Sequence, residues 1–221
     1  PRRQWDATNR RWGYVGEGSR TNLLIYSEDF LNTAAAGSTR PTVYVRASVT
    51  ADAATAPDGA ASADAIVEDG TAGNTHYVYR EIAKAASAIA YTWSVFVKAG
   101  TRTQVRLLSQ DAGASGRASV MFNLTDGSTV VAAGTLGTFS ASSASCIAQG
   151  DGWYRCSLSF TTGTELTLRS ELRLCSGGTD TYAGDGASLL YAFGAQLEAA
   201  TPPGSYVPTL GTAVTRNADA I

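Results

Sequence analysis

Few of the side chains in this 221-residue chain could carry reaction chemistry. His76, in Asn74-Thr75-His76-Tyr77, is the single histidine, which excludes a histidine-rich metal site or a paired-histidine mechanism. No Gly-x-Ser-x-Gly turn accompanies it to present a serine nucleophile, and Gly16-Glu17-Gly18 lacks the rest of any phosphate-cradling loop. The reading for His76 is a surface or hydrogen-bonded residue at the start of a strand. Nineteen Asp and Glu residues could include a glycosidase pair. Those in Asp-Gly pairs are already explained by the backbone, because Asp and Gly accept the positive φ of tight turns. The expectation is a chain without catalysis.

Binding chemistry is better supplied. In Trp153-Tyr154-Arg155-Cys156, the alternation Tyr154, Cys156, Leu158, Phe160 marks the apolar face of a strand and puts Trp153 and Arg155 on the other. From Leu166 to Cys175, residues Leu166, Leu168, Leu172 and Leu174 share one face, opposite Thr167, Arg169, Glu171 and Arg173. If both strands belong to one sheet, Trp153, Arg155, Arg169, Glu171 and Arg173 share its polar side. An indole beside several guanidinium groups suits a sugar ring bearing carboxylate or phosphate: the ring stacks on Trp and the anion pairs with Arg. A solvated face, or a contact with another subunit, would use the same side chains.

Three cysteines remain. A three-residue loop Gly150-Asp151-Gly152 places Cys146 opposite Cys156, close enough to bridge, whereas a two-residue loop Asp151-Gly152 places Ile147 there instead. Cys175 is left over in either case.

The elements that must position these groups are strands. Further alternating runs lie at 43–49, 77–82, 91–98, 104–109, 118–124 and 189–198, and Asp-Gly pairs at 58, 69, 126, 151 and 185 punctuate them. In 43–49, Val43, Val45, Ala47 and Val49 take one face. The best helical candidate, around 27–36, is at most a turn or two. The expected fold class is all-β: an antiparallel β-sandwich, jelly-roll in type, over 21–221. The chain is long enough to bury a sizeable core.

Residues 1–20 differ in composition. Arg2, Arg3, Arg10, Arg11 and Arg20 are interleaved with Trp5, Trp12 and Tyr14, which is the composition of a single-strand nucleic-acid platform or of an arm that packs on a neighbouring subunit. The net charge of −2 speaks against a nucleic-acid partner, and the arm is the expectation. No run approaches the roughly 20 apolar residues of a membrane span, and no charged region leads into an apolar one at the start, so a soluble chain is expected. Because it begins with Pro1 rather than Met, it reads as a processed product or a piece of something longer.

Several blocks, taken in order, resemble a known family. These are Arg20-Thr21-Asn22-Leu23-Leu24-Ile25-Tyr26-Ser27-Glu28-Asp29-Phe30, Ala56-Pro57-Asp58-Gly59 with Ala63-Asp64, and Tyr91-Thr92-Trp93-Ser94-Val95-Phe96-Val97-Lys98-Ala99-Gly100. Gly152-Trp153-Tyr154-Arg155, the run 185–198, Pro202-Pro203-Gly204-Ser205-Tyr206-Val207-Pro208-Thr209 and Thr215-Arg216-Asn217-Ala218-Asp219 continue it. Together they resemble a carbohydrate-binding-module-like β-sandwich of bacteriophage tail-fibre, spike and related virion proteins. The resemblance spans 20–219 and implies a jelly-roll sandwich similar to lectins, carried on a virion appendage and often trimeric. It implies adhesion to host cell-surface polysaccharide, other virion subunits as partners and assembly in the host cytoplasm. An assembly or decoration module with no glycan ligand is the competing reading. By analogy with carbohydrate modules it also suggests a structural Ca²⁺ near the first and last strands, with Glu28, Asp29 and Glu198 as donors, against solvated surface carboxylates. An odd cysteine count and cytoplasmic assembly favour free thiols over a bridge.

Overall fold

The structure, a computed structural model, describes residues 2–6, 11–31 and 42–219, with the side chains of 2–6 and 11–15 left aside. Its strands are β1 (Arg2–Asp6), β2 (Arg11–Val15), β3 (Arg20–Asn22), β4 (Val43–Val45), β5 (Ala47–Ala54), β6 (Ala63–Glu68), β7 (Tyr77–Ala83) and β8 (Ala90–Ala99). The second half adds β9 (Gln104–Gln110), β10 (Gly116–Asn123), β11 (Thr129–Gly137), β12 (Ser140–Gly150), β13 (Trp153–Thr161), β14 (Thr167–Cys175), β15 (Leu189–Glu198) and β16 (Val214–Arg216). No helix forms among the described residues. Two antiparallel sheets stack face to face. The front sheet runs β11-β10-β9-β14-β7-β4 and the back sheet β12-β13-β8-β15-β6-β5. Two small pairs, β1-β2 and β16-β3, stand beside them.

Period-two alternation builds the core between the layers. Val105, Leu107, Val120, Phe122, Leu168, Leu172 and Leu174 point inward from the front sheet to meet Val95, Val97, Leu158, Phe160, Leu190 and Leu197 from the back. Each such side chain contributes about 1.5–3 kcal/mol by leaving water. Leu166, expected on the same face, precedes β14 and is 66% exposed. The expected single strand over 43–49 is two strands. Arg46 takes φ of 51° and hands the chain from the front sheet to the back one, so that Tyr44 faces the core before the break and Ala47 and Val49 after it. Residues 27–31 form turns, and the rest of the helical candidate lies outside the described residues.

The β12–β13 hairpin reconciles the two loop readings. Gly150 pairs with Trp153, so the loop is Asp151-Gly152, both with positive φ as a primed turn requires. An extra residue, Gln149, then bulges out between Ala148 and Gly150, and the shift returns Cys146 to a position opposite Cys156. Their sulfurs are 2.9 Å apart as free thiols.

Both ends of the body are tied by one side chain. Asn22, fully buried at the end of β3, donates from Nδ2 to the carbonyls of Ala195 (3.1 Å) and Val207 (2.9 Å). Its Oδ1 accepts from the amides of Leu24 (3.1 Å) and Leu197 (3.2 Å). All four hydrogen-bonding positions of the amide are used. Ser27 and Thr209 add a reciprocal pair, Thr209 N to Ser27 Oγ at 2.9 Å and Ser27 N to Thr209 Oγ1 at 3.1 Å. Glu17 accepts from the amide and hydroxyl of Ser205 and pairs with Arg216 at 2.7 Å. The outer part of the expected 1–20 arm is the β1–β2 hairpin, with Trp5 opposite Trp12; its contacts lie outside the described residues.

Replacing Asn22 with Ala strands two donors and two acceptors, each worth about 1–3 kcal/mol when buried and unpaired. After partial relaxation the expected loss is about 3–5 kcal/mol, or a fall in Tm of roughly 10 °C for a chain of this size. Calorimetry on Asn22→Ala beside the exposed Asn217→Ala, which should not shift, checks this. A second expectation concerns the thiols: a mild oxidant should join Cys146 to Cys156 and leave Cys175 reduced, as read by peptide mapping. Burial, then the neighbouring Cys146 sulfur, raises the Cys156 thiol well above its ordinary pKa, and burial pushes Cys175 up to about 12. Thiolate is the attacking form, so the reaction should accelerate as pH rises toward and beyond 9.

Candidate ligand face

β14 places Arg169, Glu171 and Arg173 on the outer side of the front sheet, because each alternates with an inward leucine or serine. Register then brings β7 and β9 alongside: Arg169 opposite Glu81 and Gln110, Glu171 opposite Tyr79 and Leu108, Arg173 opposite Tyr77 and Arg106. The half-exposed rings of Tyr77 and Tyr79 stand 6.1 Å apart. The Arg169 guanidinium lies 5.0 Å from the Tyr79 ring centre, and that of Arg173 lies 4.7 Å from Tyr77. These stacked cations fix the tilt of both rings.

Carboxylates pin the guanidinium groups in turn. Arg169 Nε donates to Glu81 at 2.5 Å. Arg173 reaches Glu171 at 2.7 Å and Asp180 at 2.8 Å; Arg106 takes the other Asp180 oxygen at 2.9 Å. Gln110 Nε2 donates to the second oxygen of Glu171 at 2.7 Å. Burial pulls the Arg173 pKa down, but Glu171 and Asp180 outweigh it and leave it raised. Burial likewise works to raise Asp180, and Arg106 and Arg173 overcome it and hold its carboxyl low. The Glu81 hydrogen bond, ahead of a small burial penalty, raises Arg169. Three guanidinium groups face three carboxylates here, so these charges pair off into a dense set of oriented donors and acceptors, with the exposed Arg117 of β10 beside them, opposite Gln110.

The expected five-residue site is divided, because β13 lies in the back sheet and β14 in the front one. Trp153 and Arg155 do point outward from the back sheet, opposite in phase to Cys156 and Leu158. That outer side is covered by the chain itself. Trp153 is 2% exposed, packed with Ala56, Phe96 and Phe193 in a second apolar cluster and donating from Nε1 to the Thr55 carbonyl at 3.1 Å. It is therefore a core residue of a second layer and not an exposed stacking platform. Arg155 stacks 5.5 Å over Phe96 and donates to Ser94 Oγ at 3.2 Å. It borders a groove of about 250 Å³ with Ser145, Ile147, Ser157, Pro202, Pro203 and Gly204.

Of the carboxylates named as calcium donors, Glu28 and Glu198 bond within the chain. Among the described residues no three His, Cys, Asp or Glu side chains gather in one place. Glu198 accepts from the Gly204 amide at 3.0 Å with Arg20 at 3.7 Å, and Glu28 accepts from the Tyr206 hydroxyl at 3.1 Å. The cation at this turn is Arg80. Its buried guanidinium donates to the carbonyls of Ile25 (2.5 Å) and Asp29 and to Thr42 Oγ1 (3.0 Å), with the Phe30 ring 5.6 Å away. Burial lowers its pKa to about 10, still charged at neutral pH. It gathers backbone oxygens as a metal ion would, from a side chain the chain already owns.

His76 is fully buried rather than at the surface. Its Nδ1 meets the Arg46 carbonyl at 2.9 Å, and its ring lies 4.9 Å from Tyr182. The Asp-Gly turns behave as local caps: Asp58 accepts from Ala60 N, Asp126 from Ser128 N and Asp185 from Ala187 N and Ser188 N. Tyr77, Tyr79, Glu81, Arg106, Gln110 and Asp180 were missed as members of the ligand face. The first three were legible in principle, being out of phase with Val78 and Ile82 in a run already recognised as a strand. Asp180 was not, since only the fold brings its loop over β9 and β14.

No protein-family model matches the chain, and no curated protein sequence matches it.

Proposed function

We propose that this chain is a non-catalytic recognition module of a virion appendage that adheres to host cell-surface glycan through the outer face of β7, β14 and β9. The observation that carries the reading is the pair of half-exposed rings, Tyr77 and Tyr79, set among Arg169, Arg173, Glu81 and Gln110. Aromatic rings flanked by paired guanidinium and carboxylate groups meet both demands of a sugar. The C–H face packs on the ring, and hydroxyls find donors and acceptors held in fixed directions. The virion assignment is supported by the resemblance of the ordered motifs alone. Because the charges on this face pair off, the ligand is read through hydroxyls and ring stacking rather than through an anionic group. That shifts the preference from acidic sugars toward neutral ones.

The competing assembly role without a glycan has its own observation, the uncharged edge taken up below. Screening the chain on an array of bacterial capsule and lipopolysaccharide glycans, then titrating the best binder, tests the adhesion reading. Tyr79→Ala and Arg169→Ala should each weaken binding about tenfold or more, while Arg155→Ala on the back sheet should not. Raising salt from dilute buffer to about 0.5 M should change the affinity less than threefold, since few net charges are screened. Absence of any array binding, or loss with Arg155→Ala alone, would remove this face from the account.

A further inference from the structure

The stretch 128–150 contains no Asp, Glu, Lys, Arg, His or Pro. It folds into β11 and β12, the outermost strands of the front and back sheets, so one side of the sandwich presents two open, uncharged strand edges. These edges are long, 9 and 11 residues, against a common strand length of about 5–6. Their exposed side chains include Val130, Val131, Leu136 (56%) and Ile147 (58%). In β12 the bulges lie toward the ends, and 143–148 stays in unbroken register with β13.

Proteins that remain monomeric blunt such edges with charge, proline, bulges or short strands. The opposite side of this sandwich does so. There β4 is only three residues long, while β5 carries Asp52 at φ of 53° inside a register shift. The β11–β12 side has register shifts too, in β11 opposite Ser119–Phe122 and at Ala141 near the start of β12, but it lacks charge and proline altogether and keeps 143–148 of β12 as a regular edge. We infer that it is a homotypic interface, where a second copy of this chain meets the first edge to edge.

The occupant follows from complementarity. A two-fold contact sets the same patch against itself, so an uncharged surface avoids the repulsion that a patch of one charge sign would suffer. Antiparallel pairing of β12 with its copy satisfies the free backbone N–H and C=O groups of both. The two strands are 9 and 11 residues long, and the exposed side chains among them, Val130, Val131, Leu136 and Ile147, flank the contact. The glycan face lies on the outer side of the front sheet, away from this edge, and the two readings stand independently.

Sedimentation equilibrium of the intact chain across the micromolar range tests it. The expected result is reversible self-association that Ile147→Lys weakens about tenfold or more, by placing like charges across the two-fold axis, with Tm unchanged within a few degrees. Leu136→Lys provides a second edge variant. Leu166→Lys and Leu210→Lys, at residues 66% and 84% exposed elsewhere, are the controls and should associate like the parent. A parent chain that is monomeric throughout, association untouched by both edge variants, or association broken equally by the control variants would each overturn the proposal.

Discussion

The four hydrogen bonds of Asn22 are the constraint on which the rest of this molecule leans. They join the entry strand β3 to β15 and to the segment at Val207, so both ends of the sandwich body meet at one buried amide. With that closure made, the segment 199–207 lies across the back sheet. Thr92 donates to the Ala200 carbonyl at 2.8 Å and Val207 N to Gln196 Oε1 at 2.7 Å. Tyr206 packs against Phe96 and Phe193. The back sheet thus carries a core on both faces, which explains polar residues such as Ser94, Thr92 and Gln196 with no exposure at all. They are buried against a covering chain that satisfies them.

That closure decides where recognition can occur. Covered by 199–207 and the chain near Thr55, the back sheet offers a ligand little more than the groove beside Arg155. The front sheet keeps Tyr77, Tyr79, Arg169, Arg173 and Gln110 half-exposed on its outer face, with Glu171 buried among them. Its arginines are immobilised on rings and carboxylates, so a ligand meets groups whose orientation is already set. The opening turn is held in the same manner, with Arg80 collecting the carbonyls of Ile25 and Asp29. Glu68 is held low in a similar way: burial acts to raise its pKa, but Arg102, Tyr182 and the Asp185 amide bond it and prevail.

Much of this was legible in the sequence, and the failures have one cause. Alternation identified the inward Leu168, Leu172 and Leu174 and the outward Arg169, Glu171 and Arg173, because period two is a local property of the strand. It also put Trp153 outward from its own sheet. It could not say that Phe96, Phe193 and the chain near Thr55 would cover that ring, because covering is a contact between segments far apart in sequence. Sheet membership has the same character: β13 and β14 are consecutive yet lie in different layers, which split the expected site. β11 and β12 went unread since their Ala, Gly, Ser and Thr residues show little apolar period. The Cys146–Cys156 register came out right through a bulge at Gln149 that neither loop reading contained. The motif blocks also bond to one another, Asn22 to Ala195, Leu197 and Val207, Ser27 to Tyr206 and Thr209, and Gln196 to Ser205 and Val207, so they do structural work in the closure.

Hydroxyl-radical footprinting of the intact chain, free and saturated with a polysaccharide chosen by array, tests the central claim most directly. The account predicts that Tyr77 and Tyr79 are oxidised in the free chain and protected in the complex, while Trp153 resists oxidation in both. Protection confined to the Arg155 groove, or ready oxidation of Trp153 in the free chain, would contradict it. The first result would move the ligand face to the back sheet, and the second would mean that the chain near Thr55 does not cover the Trp153 ring.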